Sequence, residues 1–284
     1  MKYILIIALL FNVASAQSLF GVVASDGFDA DARRYLDSAG ITNSSQRSAF
    51  NTFIKGWKNA GLWTKSAAIY PFMGGTSSSH KWNAKDVRDL DSAYRLTFTG
   101  SWTHNSNGIT GDSLTTFATT FFNPTTVLAN NNSFSMGIYN RTNNNRDMVD
   151  ISAASNDAID RAIIHTRWSD GNGYFDMFSG STSRITASNS DARGIYILSR
   201  TSASELKSFK NGSQLGSTNT GAAGTRPNNN IEIGVAQIGA VKLFYSNRNY
   251  CFAIIFNTGL SDSEAATASS LINTLQTALG RNTY

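Results

Sequence analysis

Apolar residues recur with helical spacing near both ends of the chain. Between residues 29 and 60 they fall three and four positions apart, at Ala49, Phe50, Phe53 and Trp57, which makes one face of a helix apolar. Near the other end, a second apolar stripe runs through Ala265, Ala268, Leu271, Ile272, Leu275 and Leu279. We therefore predict two helices before residue 61 and a terminal helix whose stripe docks on the rest of the protein.

Capping residues and glycines indicate where these helices begin and end. Asp29 stands where its side chain can accept the first backbone amides of one helix, and Gly40 follows that helix as a left-handed residue would. Ser44 or Ser45 is predicted to cap the second helix, which ends before Gly61. The terminal helix opens with a capping box, Ser-Asp-Ser-Glu at residues 261–264.

Between these helical segments the apolar pattern changes to alternation, which is typical of half-buried β-strands. Asn- and Gly-rich turns separate the strands, among them residues 130–132, 143–145, 170–173 and 211–212. Many short strands follow one another without intervening helices, so the sequence predicts an antiparallel sandwich rather than a parallel α/β sheet. The predicted strands are 68–72, 94–98, 134–139, 194–198, 231–235 and 252–256.

The first 16 residues have the three-part layout of a secretory signal peptide. Lys2 is positively charged, residues 3–11 are apolar, and Ala14-Ser15-Ala16 offers a cleavage site that would leave Gln17 first. A retained anchor or a buried strand is the alternative, and the apolar run is shorter than the ~20 residues of a transmembrane helix. The predicted divisions are this segment at 1–16, a helical region at 17–66, and a sandwich with its terminal helix at 67–284.

Composition excludes several classes of protein. The 284 residues include 24 Lys and Arg against 19 Asp and Glu, one cysteine and three histidines. One thiol cannot close an intrachain disulfide, and so few scattered Cys and His residues disfavour a zinc site. The net charge of +5 is spread along the chain, with Arg33-Arg34 its only adjacent basic pair, which argues against a nucleic-acid partner. We expect no cofactor and no metal.

Glycoside hydrolysis is the enzymatic alternative, because β-sandwiches often carry it and it needs two carboxylates close together. Glu205 and Glu232 stand alone in the sequence, and charges of alternating sign between residues 85 and 95 resemble a structural ion network. No nucleophile-elbow, zinc-protease or phosphate-loop motif is present, and we expect no catalytic residues. The candidate carboxylate pairs are Asp89 with Asp91, placed on one strand face, and Asp147 with Asp150.

Recognition of a sugar is the remaining function that particular residues favour. Such sites combine a flat aromatic face with a few aimed polar groups. Two tryptophans stand at predicted strand ends beside polar loop residues, which nominates Trp102 with His104, and Trp168 with Asp170 and Asn172. The alternative is that each indole closes an end of the sandwich, because tryptophan is usually mostly buried.

Long segments of the chain resemble virion proteins of tailed bacteriophages. The resemblance rests on residues 60–76, 80–83, 88–98, 102–104, 139–143 and 231–234 and on the closing segments 259–265 and 275–281. Ser199-Arg200-Thr201 with Phe209-Lys210-Asn211-Gly212 is also similar to a hairpin of laminin-G-like, concanavalin-A-like jelly rolls.

This resemblance implies a jelly-roll sandwich in a tail fibre, tail tip or other appendage of the virion. It implies a non-enzymatic structural protein that attaches to a host-surface glycan, with other virion proteins and further copies of itself as partners. The signal-like N-terminus departs from that pattern, because phage structural proteins are normally assembled in the cytoplasm. A secreted or periplasmic lectin-like module is therefore the alternative.

Overall fold

The computed structural model describes residues 27–156, 159–179 and 182–284, and the signal-like segment at 1–16 lies outside them. The helices are α1 (Ala30–Ser38), α2 (Ser44–Asn59), α3 (Leu62–Lys65), α4 (Ser77–His80), α5 (Pro124–Val127) and α6 (Asp262–Ala278). The strands are β1 (Ser66–Tyr70), β2 (Thr97–Thr99), β3 (Thr103–Asn105), β4 (Gly108–Thr110), β5 (Phe117–Thr119), β6 (Phe134–Asn140), β7 (Ile151–Ala154), β8 (Arg161–His165), β9 (Asn172–Met177), β10 (Arg184–Ser188), β11 (Gly194–Ser202), β12 (Glu205–Lys210), β13 (Ser213–Gln214), β14 (Glu232–Ile233), β15 (Ala236–Ile238), β16 (Val241–Leu243) and β17 (Asn249–Phe256).

The strands form two sheets, and the predicted antiparallel sandwich is confirmed. The first sheet has the order β13-β12-β11-β6-β17-β4-β3, and β1 also pairs with β17. The second has the order β10-β9-β8-β7-β14-β5-β2. Its β15–β16 hairpin reaches β7 through a parallel contact between Ile238 and Ala154. The neighbours along both main orders pair antiparallel.

The main core lies between the two sheets, and alternation along each strand decides which residues enter it. On β8, Ala162 and Ile164 belong to this core, whereas Arg161, Ile163 and His165 point to the opposite face of the second sheet. Burial of the inward set supplies the hydrophobic stabilisation of the sandwich. The outward set is left to line a surface.

Helices α1, α2 and α6 cover the outer face of the first sheet. Their apolar stripes share one buried cluster with outward residues of β6, β11 and β17. Trp57 of α2 stacks on Phe256 with ring centroids 6.0 Å apart, and its indole N–H donates to Ser66 Oγ at 2.9 Å. Ile272 and Leu275 of α6 are buried in the same cluster, which confirms the predicted docking of the terminal helix.

Most predicted helix boundaries are confirmed and one is wrong. Asp29 accepts the amides of the first turn of α1, and residues 261–264 form the predicted capping box. Helix α2, however, is capped by Asn43, whose side chain accepts the Gln46 N–H at 3.0 Å. Ser44 is its first helical residue rather than its cap.

Three predicted strands are shifted or shortened because local backbone conformation interrupts them. The strand predicted at 68–72 ends at Tyr70, before Pro71, which has no N–H to donate. The strand predicted at 94–98 begins only at Thr97, because Tyr94 is left-handed with φ 58°. The strand predicted at 231–235 narrows to Glu232–Ile233, since Gly234 has φ 84°.

Candidate functional site

A pocket of about 300 Å³ lies on the outer face of the second sheet, opposite the side that the helices cover. Outward residues of β8, β9, β10 and β15 form its floor and walls, and the segments that follow β8 and β16 complete it. Its volume is at the lower end of the range for small-molecule sites. The lining residues are Arg161, Ile163, His165, Trp168, Tyr174, Arg184, Ala236, Ile238 and Phe244.

Three aromatic rings and one imidazole form the wall of this pocket. Trp168 meets His165 edge-on, with ring centroids 4.7 Å apart, and meets Phe244 at 5.1 Å. Tyr174 is perpendicular to Trp168, with ring centroids 6.5 Å apart. Phe244 is 42% exposed and holds the left-handed conformation, with φ 54°, which is costly for a non-glycine residue. The wall is thus an aromatic surface that stays accessible to water.

The turn between β8 and β9 positions Trp168 and Tyr174. The Trp168 N–H donates to the Asn172 carbonyl at 2.7 Å, which closes the turn beneath the indole. Asp170 Oδ2 accepts the Tyr174 hydroxyl at 2.5 Å, and Asp170 Oδ1 accepts the Asn172 N–H at 2.9 Å. These hydrogen bonds lower the pKa of Asp170. Of the three residues nominated here from the sequence, Trp168 lines the pocket, and Asp170 and Asn172 build the turn that supports it.

A buried ion cluster forms one end of the pocket. Asp176 on β9 is fully buried and receives both Nε and Nη2 of Arg184, at 2.9 and 2.8 Å. Arg161 Nε lies 3.0 Å from Asp176 Oδ2. The Arg184 guanidinium also lies over the Tyr174 ring, 5.1 Å from its centroid. Both arginines therefore contact the carboxylate of Asp176.

His165 contributes a neutral ring. Its burial lowers the pKa to about 3, so the ring carries no charge near neutral pH. Nδ1 lies 3.3 Å from the Met148 carbonyl oxygen, which only accepts hydrogen bonds, so the ring proton lies on Nδ1. The ring supports Trp168 without adding charge to the pocket.

The other two nominated residues, Trp102 and His104, do not line this pocket. The Trp102 N–H donates to the Phe117 carbonyl at 3.2 Å, and its ring meets Phe98 edge-on. A Cβ on Gly234 would come within 2.9 Å of the Trp102 ring, which shows how closely the indole packs there. These contacts favour the packing alternative for Trp102, and its role in sugar binding stays a prediction.

His104 is paired with a buried histidine. Nδ1 of His104 lies 3.0 Å from Nδ1 of His80, and His80 Nε2 accepts the Gly75 N–H at 3.2 Å. His80 therefore carries its proton on Nδ1 and donates it to His104. Burial lowers the pKa of His80 to about 3. Hydrogen bonding within this neutral pair occupies the Nδ1 lone pair of His104.

The carboxylates considered for catalysis are engaged in structural contacts. The prediction that Asp89 and Asp91 share a strand face is wrong, because Asp91 begins a 3-10 turn outside any strand. Asp89 contacts Lys81 at 2.5 Å, and Asp91 contacts Arg95 at 2.9 Å, in the ion network that the alternating charges indicated.

The second pair and the isolated glutamates are likewise engaged. Asp150 is fully buried, 2.9 Å from Arg248, and accepts the Tyr250 hydroxyl at 2.8 Å. Asp147 accepts the Ser169 N–H at 3.1 Å. Glu205 and Glu232, which the sequence left without a partner carboxylate, each contact a lysine at 3.0 Å. Burial raises the pKa of Glu232.

Residues 27–156, 159–179 and 182–284 hold neither a candidate metal centre nor a membrane-spanning helix. Within those ranges there is no cluster of three or more His, Cys, Asp or Glu side chains able to hold a metal ion. The helices found there are too short or too polar to cross a membrane.

Sequence reasoning missed Arg161, Tyr174, Arg184 and Phe244. None of them belongs to a motif, and they come together only because three neighbouring strands and a hairpin share one face. The one available signal was the alternation at residues 161–165, Arg-Ala-Ile-Ile-His. It predicts that Arg161, Ile163 and His165 face one side of the strand and that Ala162 and Ile164 face the other.

Several solved structures are similar to part or most of this chain, whereas its sequence matches no protein-family profile and no curated protein. The structure of HCR/D-Sa-GBL1/C has a TM-score of 0.50 and 15% identity, covering 75% of this chain and 52% of that one. Domain 4 of AbnA, a GH43 extracellular arabinanase from Geobacillus stearothermophilus in complex with arabinotriose, has a TM-score of 0.42 and 14% identity. That match covers 72% of this chain and 98% of that one. The NanB sialidase from Streptococcus pneumoniae has a TM-score of 0.40 and 10% identity, covering 51% of this chain and 26% of that one.

This chain is a jelly-roll β-sandwich. The likeness to HCR/D-Sa-GBL1/C and the two antiparallel sheets establish that fold. This chain spans about half of HCR/D-Sa-GBL1/C and about a quarter of the sialidase. At identities this low, similarity shows the fold and no activity, because one fold carries many functions.

Proposed function

We propose that this protein is a non-enzymatic glycan-binding sandwich that attaches a tailed-bacteriophage appendage to its host surface. The observation that carries the binding function is the aromatic wall of Trp168, Tyr174 and Phe244 on the open face of the second sheet. Domain 4 of the arabinanase AbnA, one of the similar structures, was solved in complex with a sugar, arabinotriose.

The chemistry of the wall suits a sugar ring. The apolar face of a pyranose packs against an indole or phenol, and the ring hydroxyls require polar partners at the edge. Trp168 and Tyr174 supply the aromatic face, and Arg184 stands beside Tyr174. A volume of about 300 Å³ accommodates a ligand of roughly one or two sugar rings.

A glycan array tests the binding function. We expect the full chain to bind at least one bacterial surface glycan, and Trp168→Ala to weaken that binding about tenfold or more, since a central aromatic contact contributes over about 1.4 kcal/mol. Trp63→Ala is the matched control, because Trp63 is also half-buried but lies on the helical side, beside Lys85. Equal losses in both variants, or unchanged binding by Trp168→Ala, would contradict the proposal.

The phage setting rests on the sequence resemblance and requires its own test. We propose that the protein is part of the virion, contacts other virion proteins and forms a homo-oligomer. Mass spectrometry of purified virions should find the chain. Light scattering of the isolated protein should give a molar mass of more than one copy. A monomer absent from purified particles would contradict this setting.

A secreted or periplasmic lectin-like module is the second candidate, favoured by the signal-like residues 1–16. Intact mass and N-terminal sequencing of protein from its native source separate the two. A chain that begins at Gln17 supports export, and one that still begins at Met1 supports a part retained in the virion.

The proposal that the protein is not an enzyme is supported by the engaged carboxylates, since Asp89, Asp91 and Asp150 each contact a cation. Incubation of the full chain with the glycans it binds should release no reducing ends. If reducing ends are released, and if Asp89→Asn or Asp91→Asn abolishes that release while the fold is retained, the protein is a hydrolase instead.

A further inference from the structure

We propose that a buried ion pair, Arg248 with Asp150, positions the aromatic wall for its ligand; the inference rests on the proposed glycan-binding function. Neither residue lines the pocket, so the pair acts through two rings that do, Trp168 and Phe244. The connection runs through residues 143–150, here called the supporting segment, which lies between β6 and β7. A wall that is fixed before the ligand arrives loses less conformational entropy on binding.

The first observation is the set of contacts that meet at Arg248. Both members of the pair are fully buried, and Arg248 Nη1 lies 3.1 and 2.9 Å from the two oxygens of Asp150. Arg248 Nε donates to Asn144 Oδ1 at 2.8 Å, and Nη2 donates to the Asn144 carbonyl at 3.3 Å. Nη2 also donates to the carbonyl of Arg167. One side chain therefore ties the supporting segment to the residue directly before Trp168.

The backbone on both sides of Trp168 is held by the same segment. Asp150 Oδ2 accepts the Thr166 N–H at 2.7 Å, two residues before the indole. Asp147 Oδ1 accepts the Ser169 N–H at 3.1 Å, directly after it. These contacts fix the stretch of backbone from which the indole projects into the pocket.

The second ring, Phe244, is held from the same segment. Its carbonyl accepts the N–H of Val149, the neighbour of Asp150, at 3.0 Å. The Gly234 N–H donates to the Asp150 carbonyl at 2.9 Å, and the Gly234 carbonyl accepts the Ser246 N–H at 2.9 Å. Phe244 is left-handed with φ 54°, a strained conformation that such surrounding contacts have to maintain. Both rings thus depend on where the supporting segment lies.

The chemistry of the pair suits a positioning role. A buried ion pair is seldom more stabilising than well-packed apolar residues, because desolvation of both charges offsets most of their attraction. Here the charges bond backbone carbonyls and amides of irregular segments, which an apolar replacement would leave without partners. Polar networks in which every member is bonded hold their surroundings rigid. The pair therefore contributes a fixed geometry.

Arg248→Lys tests the inference on the full chain. Lysine keeps the charge, but its single ammonium group cannot reproduce the planar fork that contacts Asp150, Asn144 and Arg167 together. We expect the variant to bind the glycan selected on the array about tenfold more weakly than the wild type, a typical size for coupling between neighbouring residues. Isothermal titration calorimetry at a temperature where the variant is folded provides the affinity.

Arg281→Lys is the matched control. Arg281 is also a buried arginine, and it donates to the carbonyls of Phe72 and Pro71 at 2.7 and 2.9 Å, after the end of α6. Its replacement should lower the melting temperature and leave the affinity for the glycan unchanged. An equal loss of affinity in both variants would show general loosening of the fold and would overturn the positioning role.

A double-mutant cycle adds a readout that a merely structural role would not move. In the Trp168→Ala background, Arg248→Lys should weaken the remaining binding by clearly less than it does in the wild type, because one of the two positioned rings is already absent. The full loss repeated in that background would show that Arg248 acts independently of Trp168, which overturns the inference.

A second variant covers the case in which Arg248→Lys does not fold. Asp147 is exposed, so Asp147→Ala removes the acceptor of the Ser169 N–H without disturbing the buried pair. We expect about a threefold loss of affinity. Affinities equal to that of the wild type in every variant that folds would overturn the positioning role and leave the glycan-binding function intact. A wild-type chain that binds no glycan overturns both.

Discussion

Trp102 and Trp168 are both partly exposed tryptophans, yet their surroundings differ in kind. Trp102 donates to a backbone carbonyl of β5 and packs against Gly234 and Phe98. Trp168 packs against other rings of an open pocket and leaves that side of the indole to the solvent. The same residue type is therefore expected to stabilise the fold at one position and to bind ligand at the other.

Replacement of each tryptophan should separate these roles. Trp102→Ala removes a packed indole and leaves the Phe117 carbonyl without its donor, so we expect a loss of at least about 2 kcal/mol in the free energy of unfolding. Trp168→Ala should cost clearly less, because its contacts are solvent-exposed. Urea denaturation of both variants provides the measurement. A larger loss for Trp168→Ala would show that its ring belongs to the core.

The ionisation state of His165 gives a prediction with a definite sign. Burial lowers its pKa to about 3, below the value of about 6.5 in the unfolded chain. The neutral ring therefore contributes its full stabilisation above about pH 6.5, and this is lost as the pH falls toward 3. Long-range ¹H–¹⁵N NMR spectra should show His165 as the Nδ1–H tautomer, unchanged between about pH 7 and about pH 5. A ring that gains a proton in that range would contradict the structure.

At the scale of elements, helix α6 ties the end of the chain to the first sheet. Its stripe of Ala265, Ala268, Ile272 and Leu275 is buried against the outer face of that sheet and against α2. The helix starts where Ser261 and Glu264 cap it, so its position depends on local capping as well as on packing. This is why the sequence pattern was sufficient to predict both its boundary and its docking.

Ile272→Ala tests that docking. Removal of a fully buried side chain should lower the free energy of unfolding by about 2–5 kcal/mol. Thr274→Ala, two residues further along the exposed side of the helix, is the control and should change it by no more than about 0.5 kcal/mol. Thermal or urea unfolding followed by circular dichroism measures both. Equal, small effects would show that α6 is not held by its apolar face.

The strands were less predictable than the helices, for a physical reason that β7 to β10 illustrate. Their outward positions carry buried polar residues such as Ser152, Arg161 and Asp176, whose burial depends on partners from other strands. Local alternation cannot reveal those partners. The same non-local pairing explains why Trp168 was found from the sequence and Arg161, Arg184 and Phe244 were not.

On the scale of the whole molecule, the chain forms three layers with different roles. Helices cover one side, the inter-sheet core lies in the middle, and the open pocket occupies the other side. A sandwich displayed on a larger particle can in this arrangement be held through one side while the opposite side meets a ligand. Alternation and turns in the sequence were sufficient to predict the sandwich, whereas only the three-dimensional structure shows which face carries the pocket.

The most direct measurement is a crystal structure of the full chain with the glycan selected on the array. We predict that a sugar ring lies against Trp168, within the pocket lined by Tyr174, Arg184 and Phe244. A glycan bound beside Trp102 or on the helical side would contradict the central claim.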